Sequence, residues 1–296
     1  MENLTDVGAV RSLLDRYGFR FSKALGQNFL INPTVCPRMA EASGVGPASG
    51  VLEIGPGIGV LTRELAARAG KVVAVELDQR LLPVLEETLR DAGRVKVVHG
   101  DVMKLDLAAL LKEEFRDMPV AVCANLPYYI TSPIIMGLLE SRLPFTTITV
   151  LVQKEAAQRL CARPGSRECG AVTLAVQYYA EAKILFPVSR GSFLPAPKVD
   201  SAVMQLQIRR EPPCRVKDEA CLFRLIRAAF GQRRKTLANS LTGAGISKTE
   251  AEAALRAAGM DPGLRAEQLT LEQFAALADR VTEGAGKSAP EEVPGA

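Results

Sequence analysis

Five short apolar runs, at residues 51–54, 72–75, 95–98, 120–124 and 148–152, narrow the fold more than any other feature of this chain. Apart from Glu53, Lys96 and Thr149 they are apolar throughout rather than alternating, the pattern of strands covered on both faces. The gaps between them carry helical periodicity, as at Leu61 and Leu65 or at Leu81, Leu82, Leu85 and Leu89. Strand and helix in alternation predict an α/β chain with a doubly wound, mostly parallel sheet. A later run, Ala202 to Ile208, mostly alternates apolar with polar residues. It is expected to join the sheet late, as an antiparallel strand with one wetter face.

Glu211-Pro212-Pro213 breaks that rhythm and reads as a linker. Beyond it the pattern is helical. Leu222, Leu225, Ile226 and Ala229 keep a spacing near 3.6, Ser247-Lys-Thr-Glu250 is a capping box for a helix stopping at Gly259, and Thr270-Leu-Glu-Gln273 opens another. The expected organisation is a catalytic domain at 1–210 with an N-terminal flap at about 10–35, a small all-helical domain at 211–281, and a disordered Gly- and Pro-rich tail at 282–296.

A chain of 296 residues has room for one large unit and one small one. No apolar run reaches membrane-spanning length, and the acidic start, Met1 to Asp6, does not read as a secretory signal. The six cysteines contain no CxxC pair, so neither a zinc site nor a disulfide framework is indicated, and a reducing cytoplasm suits them. Net charge is +4, yet residues 209–235 hold nine Lys/Arg against three Asp/Glu. That segment is +6 and the remainder −2, the footprint of a polyanion binder whose grip weakens with salt. A solvated basic face is the plainer reading of the same charges.

Chemistry gathers at the ends of the strands. Leu52-Glu53-Ile54-Gly55-Pro56-Gly57-Ile58-Gly59 joins the first strand to a helix, with an acid just before a GxGxG loop. Glycines there let backbone approach a ligand, and this stiffened spacing suits a cofactor without phosphate better than a pyrophosphate. Glu76 ends the second strand 21 residues after Gly55, where an acid holds ribose hydroxyls in doubly wound folds. Asp101 ends the third and can accept from an adenine amine. Asn125-Leu126-Pro127-Tyr128 ends the fourth. An amide oxygen, a turn carbonyl and an aromatic face are the parts needed to hold a flipped adenine by its amino group. Taken singly, these are a turn, two exposed acids and an Asn-capped junction. Together they converge on one crevice. His99, the sole histidine, precedes Asp101 and reads as a packing residue of its strand rather than a base.

With these motifs in order, the chain closely resembles the small-subunit (16S) ribosomal RNA adenine N6-dimethyltransferase family. The resemblance covers about residues 10–280 and includes Lys23-Ala-Leu-Gly-Gln-Asn-Phe-Leu30, Gln153-Lys-Glu-Ala-Ala-Gln-Arg-Leu160, Phe193-Leu-Pro-Ala-Pro-Lys-Val-Asp-Ser201 and Phe230-Gly-Gln-Arg-Arg-Lys-Thr-Leu237. It implies a Rossmann-like methyltransferase sheet, S-adenosyl-L-methionine as cofactor with S-adenosyl-L-homocysteine as product, and no metal. It implies that Asn28 and Leu30 contact the cofactor from the flap, Gly55 through backbone, Glu76 at the ribose and Asp101 at the adenine amine. Asn125 would serve cofactor and target, with Leu126, Pro127 and Tyr128 completing the clamp. Phe193 looks like the second aromatic of the target pocket, though a core plug fits it as well. The implied substrate is two adjacent adenosines in a hairpin loop near the 3′ end of 16S ribosomal RNA, late in small-subunit assembly, gripped partly by residues 209–235. A cytoplasmic enzyme, off the membrane and monomeric, is expected. Cys169-Gly-Ala171-Val-Thr173 stands where Tyr-Gly-Arg-Leu-Ser is common, and Asn32 where Asp is usual, which touches local RNA contacts more than the chemistry.

Three other readings compete. One is the related large-subunit adenine methyltransferase that confers macrolide resistance, disfavoured by the long helical C-terminal part. Another is a non-catalytic assembly or transcription factor, disfavoured by the intact Asn125–Tyr128 clamp. The third is a nicotinamide oxidoreductase, disfavoured by the glycine spacing.

Overall fold

The computed structural model describes residues 3–22 and 24–287. Met1 and Glu2 of the acidic start, Lys23 of the 23–30 segment, and residues 288–296 of the expected tail lie outside the described residues. The chain forms two units, Met1–Gln158 with Ala180–Ile208, and Arg159–Tyr179 with Arg209–Ala296.

The first unit is built on strands β1 (Phe29–Leu30), β2 (Gly50–Ile54), β3 (Lys71–Glu76), β4 (Val95–His99), β5 (Val120–Asn125), β6 (Phe145–Gln153), β7 (Ala180–Val188), β8 (Phe193–Leu194) and β9 (Ser201–Ile208). Seven of them form one sheet in the order β4-β3-β2-β5-β6-β9-β7. The first five in that order run parallel, and β9 is antiparallel to both its neighbours. Helices α1 (Val7–Arg16), α2 (Val35–Ala42), α3 (Val60–Ala66), α4 (Leu82–Thr88), α5 (Leu107–Phe115) and α6 (Thr131–Glu140) alternate with the strands, and α7 (Lys154–Leu160) follows β6. Strands β2 and β5 are buried almost throughout, as the continuous apolar runs require.

Three expectations are corrected here. Strand β4 pairs only with β3 and is half-exposed, because it is the edge of the sheet, and His99 on it is exposed rather than packed. Strand β9 has no wet face over most of its length, because it lies between β6 and β7. Its polar Gln205 is buried with its amide donating to the Ala42 carbonyl and, at 3.3 Å, to Thr149 Oγ1, which satisfies the group. The neighbouring β7 is a strand that the sequence does not announce, since Glu181, Lys183 and Pro187 interrupt its apolar character.

The second unit is helical: α8 (Ala171–Tyr179), α9 (Glu219–Gly231), α10 (Leu237–Ser240), α11 (Lys248–Ala257) and α12 (Leu271–Lys287). It takes in residues 159–179, which the expected boundaries assign to the first domain, because α8 packs on α9. The Tyr179 and Phe223 rings stack there at 5.6 Å. Helix α9 buries Leu222, Leu225, Ile226 and Ala229 as its spacing predicts. Ser247 and Glu250 close a reciprocal capping box on α11, and Thr270 with Gln273 does the same at α12. Residues 282–287 continue α12 instead of starting a loose tail. Of the nine basic side chains between 209 and 235, all except Arg209 are exposed. Arg233 donates to the carbonyls of Arg167 and Cys169, and buried Cys169 belongs to the interior of this unit.

Candidate active site

Strands β2, β3, β4 and β5 end together, and their ends open onto one cavity of about 1070 Å³, its open mouth included. Asn28, Leu30, Gly55, Glu76, Asp101, Asn125, Leu126, Pro127 and Tyr128 all line it. Elements far apart in the chain thus meet, as the strand-end carboxylates and amide suggest.

Gly55 follows β2 with φ +69°, a conformation that suits glycine, and a side-chain carbon placed on it would meet no protein atom within 4 Å. That open space leaves backbone facing the cavity. Glu76, 6% exposed, accepts from the Asp78 N–H at 2.8 Å and the Gly57 N–H at 3.3 Å, tying the glycine loop to the end of β3. Burial raises its pKa, and those two amides pull the other way. Asp101, just beyond β4, accepts from the Met103 N–H at 3.0 Å. Asp78 receives Arg80 at 2.6 Å and the flap residue Gln27 at 2.7 Å, and chiefly Arg80 holds its carboxyl below the ordinary range.

The clamp is equally ordered. Asn125 ends β5 and donates its amide Nδ2 to the Asn28 carbonyl at 3.2 Å, so its Oδ1 is turned away from that contact. Asn28 in turn donates to the Gly26 carbonyl at 3.0 Å. Leu126 is buried and its N–H pairs with the Leu151 carbonyl at 3.1 Å. The Pro127 carbonyl is occupied by the Ile130 N–H at 3.3 Å and the Thr131 hydroxyl at 3.1 Å. Tyr128 Oη lies 2.7 Å from Ser201 Oγ, which fixes the ring.

Phe193 is not brought to the wall. It is 3% exposed, pairs with Leu30 across β1 and β8, and packs in the core with Leu151 and Val203. The plug reading describes its place, and its route to the cavity runs through Leu30. Asn32 uses both ends of its amide, donating to Ser192 Oγ at 3.1 Å and accepting from the Thr34 N–H at 3.0 Å.

Two wall residues escape the sequence argument. Glu53, the acid before the loop, is 1% exposed, and its Oε2 has no hydrogen-bond partner among the described residues. Burial pushes its pKa up to about 8, with the Thr62 hydroxyl opposing and Glu76 reinforcing the rise. Its position before GxGxG is the available signal, and position alone gives it no role. The other is Tyr129. No Lys or Arg lines the cavity among the described residues. A wall of carboxyl and amide acceptors fits a ligand rich in donors and of positive charge, and does not fit a pyrophosphate.

Residues 18–283 match the family model described as ribosomal RNA adenine dimethylase. The chain is 49% identical to a ribosomal RNA small subunit methyltransferase A from Bacillus licheniformis, over 92% of this chain and 95% of that protein. Among solved structures, a dimethyladenosine transferase from Plasmodium falciparum superposes with a TM-score of 0.70 at 27% identity, covering 84% of this chain and 95% of that one. The 23S rRNA methyltransferase ErmE gives a TM-score of 0.65 at 32% identity, covering 86% and 100%.

Proposed function

The chain belongs to the ribosomal RNA adenine dimethylase family, and from that premise we propose that it methylates N6 of two adjacent adenosines in a hairpin loop near the 3′ end of 16S ribosomal RNA, with S-adenosyl-L-methionine as the donor. It is an rRNA adenine dimethyltransferase. The single observation that carries the finer reading is the meeting of Glu76, Asp101 and Asn125 on one acceptor-lined cavity without a basic side chain among the described residues. The small subunit is favoured over the large one because the small-subunit relative is 49% identical and ErmE 32%.

The residues present fit the cofactor. Glu76 would accept from ribose hydroxyls, Asp101 from the adenine amine, and Gly55 would lie against the ligand through backbone, with Asn28 and Leu30 covering it from the flap. When bound, the cofactor supplies a methyl already activated on a sulfonium. The protein's remaining task is alignment. An adenine amine is a weak nucleophile because its lone pair is delocalised into the ring. Asn125 Oδ1 would accept one of its protons. The Leu126 carbonyl is the turn acceptor for the other, since the Pro127 carbonyl is already engaged by Ile130 and Thr131. Two acceptors favour a more pyramidal nitrogen whose lone pair points to the methyl, and Tyr128 stacks on the ring. As each methyl is transferred the nitrogen gives up one proton, which leaves to water; after the first transfer one N–H remains, and the amine is held for the second through a single acceptor. Phe193 would act by supporting Leu30. The exposed cations of 209–235 would grip phosphates. With a ribosomal substrate, the working compartment is the cytoplasm.

Incubation with isolated small and large subunits and labelled S-adenosyl-L-methionine tests this reading. N6,N6-dimethyladenosine is expected by mass spectrometry in 16S RNA alone, and product in the large subunit would overturn the assignment. Glu76 adds a pH signature. Its ionised form is the better acceptor and its pKa is raised, so S-adenosyl-L-homocysteine should bind more weakly as pH falls, starting above the range of an ordinary carboxylate. Calorimetry from about pH 8 down to about pH 4, through the ordinary carboxylate range, should show this in the wild type and a flatter profile in Glu76→Gln. Identical profiles would remove Glu76 from the ribose site.

A further inference from the structure

We propose that Tyr129 is a stacking platform for the nucleobase beside the everted adenine, a proposal that rests on the methyl-transfer reading above. Tyr129 lines the same cavity as Tyr128, yet it is 54% exposed. An aromatic ring that large left open to water at the mouth of a site is available to a ligand.

The turn that carries it is rigid. Residues Tyr128–Ile130 form a single 3₁₀ turn behind Pro127, pinned by the Ile130 and Thr131 contacts to the Pro127 carbonyl. Successive side chains on such a turn point about 120° apart. With Tyr128 tied to Ser201, Tyr129 is directed to a different part of the wall. The flap buttresses the ring. Gly26 has φ +60°, which favours glycine, and a side-chain carbon there would lie 3.2 Å from Tyr129 Cδ1 and 3.5 Å from Cε1, so the flap backbone lies close against the ring. Little rotamer freedom is left to lose on binding.

Everting one base from a strand uncovers a face of its neighbour. A fixed ring at the pocket mouth covers that face, and every base offers a π-surface to it, so the contact favours RNA whatever the neighbouring letter. With no Lys or Arg on the cavity wall among the described residues, a neighbouring nucleotide is held there by stacking rather than by ion pairing to its phosphate.

The test uses the full chain with a synthetic RNA hairpin carrying 2-aminopurine next to the target adenine, and small subunits for kinetics. Tyr129→Ala is expected to raise KM for the subunit on the order of tenfold, and Tyr129→Phe by less than about twofold. The wild type and Tyr129→Phe should quench the 2-aminopurine, and Tyr129→Ala should not. Affinity for S-adenosyl-L-homocysteine should be alike in all three proteins. An unchanged KM in Tyr129→Ala overturns the proposal. So does a KM rise matched by lost S-adenosyl-L-homocysteine affinity, which would make the ring only a prop for the flap. Absence of methylation by the wild type would instead sink the underlying reading.

Discussion

Asn125→Ala is expected to lower kcat for methyl transfer about a hundred- to a thousandfold while RNA affinity changes by less than about twofold, the scale seen when one preorganised hydrogen-bonding group is removed from a reacting centre. The reason lies in how the amide is held. Its nitrogen is committed to the Asn28 carbonyl at 3.2 Å, which sets the carboxamide so that the oxygen is the end left for the target amine. Alanine keeps the strand end and the pocket but removes that acceptor. Asn125→Asp is the informative companion. It keeps oxygens in place yet cannot donate to Asn28, and a carboxylate beside that carbonyl is repelled, so it too should be slow. Single-turnover rates with prebound RNA separate chemistry from binding. A wild-type rate in Asn125→Ala would eliminate the amide from the mechanism.

The second large effect is on stability. Glu53 keeps its proton in the folded protein up to about pH 8, whereas the unfolded chain releases it near the ordinary value of 4.5. The folded state therefore binds more protons across that window, and this group's contribution to stability falls as pH rises from 4.5, levelling off above about 8. Glu53→Gln cannot titrate. Between about pH 5 and about pH 8 its unfolding free energy should gain on the wild type by about 3 kcal/mol, counting roughly 1.4 kcal/mol per pKa unit. Urea melts at the two pH values measure the difference, in which other titrating groups cancel. Parallel curves would mean that Glu53 ionises normally.

Much of this architecture is legible in the chain. The buried runs that form β2, β3, β5 and β6 are unambiguous because parallel strands covered on both faces cannot carry polar residues cheaply. The helix caps at Ser247 and Thr270 are local signals and need no tertiary context. Strand β7 is hidden because its burial alternates irregularly beside charged residues, and β9 misleads because a satisfied buried Gln205 looks, in sequence, like a solvent-facing one. At the site, residues at strand ends are readable from position alone. Glu53 is not, since nothing in a single sequence distinguishes an acid that titrates near pH 8 from one in water. Phe193 is ambiguous for a similar reason. An aromatic beside Leu-Pro carries no mark of whether it faces a cavity or the pairing of β1 with β8.

The placement of β9 has a consequence for synthesis. Of the described strands, the last to be synthesised is the one that joins β6 to β7, so until residue 208 has emerged β6 presents an open edge and β7 has no partner. Tyr128 likewise lacks Ser201, the hydroxyl at the start of that strand. A nascent chain that has reached Gln153 can therefore pair the five parallel strands without competence for catalysis, which waits on the insertion of β9.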